Sequence, residues 1–178
     1  MRPLLTRVPQ RVLTHITVGA MAFQVAHFVE HGAQFAYWVA HPTATPWLTP
    51  WAEIARDSLS ASPATGVELL HLLGNGVFWI GLIAFAALPS GEGQPQLRTA
   101  IWLQGAHVLE HVVLTATWVF GGAALGFSTA FGMLEGGALS SYRVVWHFTI
   151  NLFVTLYAIR PFVRAWRGSL LDYATQEA

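Results

Sequence analysis

One eight-residue stretch limits what this chain can fold into. Gln24-Val25-Ala26-His27-Phe28-Val29-Glu30-His31 sets two imidazoles and a carboxylate inside a long apolar run. It recurs 80 positions later as Gln104-Gly105-Ala106-His107-Val108-Leu109-Glu110-His111, so both copies read Gln-x-Ala-His-x-x-Glu-His. Trp38 and Trp118 follow at the same offset. At about 100° per residue, Gln24, His27, Glu30, His31 and Trp38 fall within roughly a 120° arc of one helix face. Each copy therefore presents two imidazoles and a carboxylate in one direction.

The surroundings decide what such a face means. The 178 residues are 54% hydrophobic and only 10% charged, against about 25% charged in a soluble domain. That deficit points to a lipid environment. A carboxylate at the centre of a bilayer costs ~2.5–3.5 kcal/mol on insertion scales, so it turns toward the protein interior and needs a partner. The absence of cysteine rules out disulfides and thiolate metal sites. All nine basic residues are arginine and the formal net charge is zero, which leaves no basic patch for nucleic acid.

Taken in order, the apolar stretches give four expected membrane spans, over about 12–40, 67–88, 98–120 and 143–163, each long enough for the ~20 residues that a crossing needs. A loop to Gly66 holds a short helix over Trp51–Leu59. Residues 89–97 form a helix-breaking turn, Gly121–Tyr142 a Gly-rich re-entrant or surface-lying segment, and Arg164 opens a polar tail. Seven arginines collect at one side of this arrangement and only Arg56 and Arg143 at the other. The positive-inside rule then sets both termini in the cytoplasm of a multi-pass protein of the plasma (inner) membrane. Trp38, Trp47, Trp51, Trp118 and Trp146 are expected as anchors at the outer interface.

The repetition extends to the even-numbered spans, as His71-Leu-Leu-Gly-Asn75 and His147-Phe-Thr-Ile-Asn151. The expected fold is thus all-α: an integral membrane four-helix bundle, one domain, made of two parallel helix-hairpin repeats (about 12–88 and 98–163) related by an axis along the membrane normal. Val144 occupies the place in the second copy that Glu68 holds in the first.

Neutral imidazole and carboxylate suit iron, zinc, copper, nickel or manganese. Histidines at i and i+4 can bind one ion from a single helix turn, and Glu68-x-x-His71 has the spacing of bundle di-iron sites. The candidate metal ligands are His27, Glu30, His31, His71, His107, Glu110, His111 and His147. Gln24, Gln104, Asn75, Asn151 and Glu68 are candidate supports that orient ligands by hydrogen bonding. His15 and His41 read as hydrogen-bonding residues, and Gly74, Gly76, Gly81 and Gly105 as points of close helix packing.

Two transition-metal ions are expected, iron first, copper or zinc next. The function expected is a non-haem dimetal oxidoreductase acting on a lipophilic substrate or O₂. In ligand type the cluster resembles the histidine-box membrane desaturases and hydroxylases, whose His-x-x-His-His boxes are absent here. A copper or zinc carrier is the second reading. The third is a haem- or chlorophyll-binding accessory subunit of a respiratory or photosynthetic complex, with His71 and His147 as the haem pair. The partners expected are the lipid bilayer and a second copy or a larger membrane complex. A symmetric pair of sites makes His27→Ala and His107→Ala lose metal equally.

Overall fold

The computed structural model describes residues 8–41, 47–60, 63–120 and 139–176. These form five helices and, among the described residues, no strand: α1 Gln10–Ala40, α2 Pro50–Leu59, α3 Pro63–Ala87, α4 Pro95–Phe120 and α5 Leu139–Gln176. Proline opens α2, α3 and α4, where its fixed φ and missing N–H are compatible with the first turn. That start signal places α3 and α4 a few residues ahead of the spans expected from hydropathy. The turn between them carries Gly93 at φ 72, a left-handed conformation that glycine adopts at no steric cost.

The short helix expected over Trp51–Leu59 is present as α2. On it Arg56 donates to Asp57 at 2.7 and 3.1 Å, which holds the Asp57 carboxyl below the usual carboxylate range. The polar tail expected from Arg164 is instead helix. α5 runs through Pro161 to Gln176, since a proline forfeits one backbone hydrogen bond and the residues after it continue the helix. Of the segment expected over Gly121–Tyr142, residues 121–138 lie outside the described residues, and the rest opens α5.

The four long helices pack in a ring, α1 on α3, α3 on α4, α4 on α5 and α5 on α1, with α2 laid against α3. Two glycines set close approaches. A side chain at Gly81 would overlap Ala20 of α1, and one at Gly105 would meet the Trp79 indole at 3.0 Å. Gly76, by contrast, has open space around it.

Along the ring axis the interior changes character. At one end Leu13, Met21, Phe78, Phe85, Leu97 and Val154 form an apolar core. One layer further, Gln24, Asn75, Gln104 and Asn151 are fully buried, and the histidines follow. The outer surface is the reverse: Val29, Leu73, Ile80, Leu109 and Phe153 are each more than half exposed. Among the described residues two helices are long and apolar enough to cross a membrane, α1 and the part of α3 from Thr65 to Ala87. Four spans were expected on hydropathy. α4 and α5 fall short of the same measure, with Arg98, Gln104, His107, Glu110 and His111 on one, and Arg143, His147 and Asn151 on the other.

Candidate metal centre

The register of the ring brings all six histidines of the two motif copies together. His71 stacks on His111 with ring centroids 5.1 Å apart, and His31 on His147 at 5.7 Å. His71 and His147 lie 5.0 Å apart across the centre. The closest group is His107, His111 and His147, whose ligand nitrogens all fall within 4.8 Å of one another in a fully buried setting. His27 and His71 are only partly buried.

Hydrogen bonding fixes which nitrogen faces inward in four of the six rings. His71 Nδ1 lies 2.8 Å from the Val67 carbonyl, and His31 Nδ1 lies 3.1 Å from Gln34 Oε1. His107 Nδ1 lies 3.2 Å from a Glu110 oxygen, and His111 Nδ1 lies 3.1 Å from a Glu68 oxygen. Each partner is an acceptor, so each Nδ1 carries the proton and donates it, leaving Nε2 as the lone-pair nitrogen. This is the tautomer in which a ring ligates metal through Nε2 while an acceptor steadies its other nitrogen.

Two Nε2 pairs are short. His27 meets His31 at 3.1 Å and His111 meets His147 at 3.1 Å. Two imidazole nitrogens bound at ~2.0–2.1 Å to one tetrahedral ion lie about 3.3 Å apart, so both pairs are close to the spacing of ligands sharing an ion. In the same layers His107 Nε2, Gln24 Oε1 and Gln104 Oε1 are buried without a hydrogen-bond partner. Among the described residues these three acceptors lack a donor, and a cation beside His107 Nε2 would satisfy it.

The supports cross between motif copies. Gln24 Nε2 donates to Asn151 Oδ1 at 3.0 Å, and Gln104 Nε2 to Asn75 Oδ1 at 2.8 Å. Each asparagine then donates to the carbonyl of the histidine one turn before it, at 2.9 Å in both cases. Glu68 is buried on His111. The other two carboxylates sit beside the imidazoles. Glu110 receives the Trp146 indole N–H at 2.8 Å as well as His107. Glu30 receives Thr49 Oγ1 at 2.7 Å and Gln34 Nε2 at 3.0 Å, so that Gln34 stands between it and His31.

Four residues of this network escaped the sequence reading. Gln34 had a signal, since it shares the helix face of Glu30 and His31 at i+4 and i+3. Thr155, which accepts from Gln24 at 2.9 Å, lies one turn beyond Asn151. Trp146, expected as an interface anchor, instead turns its indole N–H to Glu110. Thr49 comes from the loop before α2, where nothing local marks it. Trp118 has no described side chain, and Trp38 is half-buried.

The fold and the centre define an all-helical chain with a buried histidine cluster able to hold a metal ion. The chain belongs to a family of unknown function, DUF6008, whose model matches residues 1–170. Neither a curated protein nor a solved structure matches it.

Proposed function

We propose that this chain is a membrane-embedded, non-haem dimetal oxidoreductase, with two transition-metal ions held by His27, His31, His71, His107, His111 and His147. One observation carries the reading: four of the six rings have Nδ1 tied to an acceptor, which turns their Nε2 lone pairs to the inside of one cluster. Without a cation, six crowded imidazoles must share protons among atoms that are mostly acceptors. Bound iron, the first choice, or copper would supply the redox chemistry, and imidazole ligation suits either. The chain's own residues orient the rings, exclude water and keep negative charge nearby on Glu68, Glu110 and Glu30.

The inverted distribution of polarity supports the membrane setting. Large apolar side chains face outward while glutamine, asparagine and histidine fill the centre, as suits helices that associate in lipid through small residues and hydrogen bonds. On this reading the ring is a four-helix bundle of two hairpin repeats, supported by the paired Gln–Asn bonds. Arginine placement argues for both ends on the cytoplasmic side.

Elemental analysis of detergent-purified protein tests the proposal. About two ions per chain are expected, and fewer than about 0.2 would sink it. An absorption spectrum without a Soret band is expected alongside. Metal flux into proteoliposomes at the rate of a carrier would move the assignment from enzyme to transport.

A further inference from the structure

A cavity of about 340 Å³ lies between α1, α2 and α3. Its inner wall holds His27, His31, His71 and Glu30. Gln34 completes that wall, and the rest is apolar, with Phe23, Leu73 and Val77 at its side and Ala52 of α2 above. Phe23, Leu73 and Val77 are also exposed on the outer surface, so the cavity opens sideways between α1 and α3, toward what would be hydrocarbon.

From this geometry we infer a binding site for a neutral, single-chain lipid with a hydroxyl head group, its head at the His27–Glu30 wall and its tail passing out beside Leu73 and Val77. The inference rests on the oxidoreductase reading and names the substrate class for the same centre. Three observations select the occupant. The volume is at the lower end of the ~300–1,000 Å³ typical of small-molecule sites, with room for one chain and not for two tails. The polar wall is confined to one side, which orients an amphiphile. Glu30 contributes a carboxylate to that wall, which accepts a hydrogen bond from a hydroxyl, a bond that an ionised fatty-acid head has no proton to make. α2 has few large residues at the roof, where Ala52 and Ala55 leave space over the head group.

The test uses the full chain in phospholipid nanodiscs, a long-chain primary alcohol carrying a photoreactive diazirine, and mass spectrometry of the labelled peptides. Metal content is measured on the same samples. Ala26 lines the cavity from the exposed side of α1, so Ala26→Trp fills it without entering the histidine cluster. Leu73→Trp, from α3, is the second variant should the first fail to fold. The expected result is saturable labelling of α1 and α3, displaced by unlabelled hexadecan-1-ol at least about tenfold more effectively than by hexadecanoate. In either tryptophan variant labelling falls about fivefold or more with metal content unchanged, as expected when a pocket is filled by a side chain. Labelling that does not saturate, that is unchanged in the variants, or that hexadecanoate displaces equally well overturns the inference. Absent labelling in protein carrying its metal defeats the lipid site alone. Saturable labelling in protein that takes up no metal defeats the oxidoreductase reading alone.

Discussion

The two histidine trios came from one sequence motif and ended in different surroundings. His107, His111 and His147 are closed off inside the helices, whereas His27, His31 and His71 share a wall with the cavity. The divergence traces to two substitutions between the copies. Glu68 of α3 supports His111. The matching place on α5 is Val144, which offers His31 nothing, and the amide of Gln34 from His31's own helix stands in. The place that matches Gln34 is in turn Leu114, which is fully buried. One trio thus gained a carboxylate support and a dry interior. The other kept a neutral support and access from outside. A backing carboxylate raises the basicity of a ligating imidazole, so on the proposed two-ion reading the second trio would hold its ion tightly and the first would keep one open to a ligand.

The most severe way to break this comparison is to delete a ring from each side. His111→Ala is expected to leave about one ion per chain or fewer, because it removes a ligand from the closed trio and takes one donor from the buried Glu68 carboxylate. His27→Ala is expected to leave the closed trio loaded. Elemental analysis reads both, and loss of both ions in each variant would merge the trios into one site. That outcome would favour the symmetric expectation drawn from the repeat alone.

The supports give a finer cut. Glu68→Gln should weaken metal binding by about 10–100-fold in chelator competition, the usual cost of losing such a partner. Gln34→Leu should cost about tenfold or less, and only at the open trio. If Gln34→Leu is the more damaging, the assignment of the tight site is reversed.

The glutamines ask where the copies remain alike. Gln24→Leu and Gln104→Leu each orphan a buried asparagine oxygen, which costs about 1–3 kcal/mol. Thermal unfolding in detergent should show Gln24→Leu as the larger, since Gln24 also bonds Thr155. The smallest effects belong to the donors on the flanking carboxylates. Thr49→Val removes one bond to half-buried Glu30, which water can replace, and Trp146→Phe removes one bond to buried Glu110, which keeps His107 beside it; each is worth about 1 kcal/mol. Their metal content should stay at the wild-type level.

Much of this was legible before any coordinates. Helical phase put Gln24, His27, Glu30 and His31 on one face, and the second copy repeated it, so convergence of the imidazoles followed once the helices packed in register. Periodicity says nothing, however, about which side chain meets which across helices. Glu68 read as a support through its spacing to His71, yet it is nearly fully buried against His111, a histidine 43 residues away. Thr49 and Trp146 were invisible as partners for the same reason, since a donor to a carboxylate can come from any element that passes by. The continuation of α5 beyond Val163 was missed because Arg164 and Arg167 resemble an ending when read singly.

The crossed glutamine–asparagine bonds carry one more implication. Each half of the chain holds a donor whose acceptor lies only in the other half, so a single half cut free would bury two unmet amides. Its remedy would be to meet an identical half, and the same two bonds would then form between separate molecules. A gene encoding one hairpin could therefore have worked as a self-paired ancestor, with fusion coming later and leaving Val144 and Gln34 free to drift apart from their counterparts.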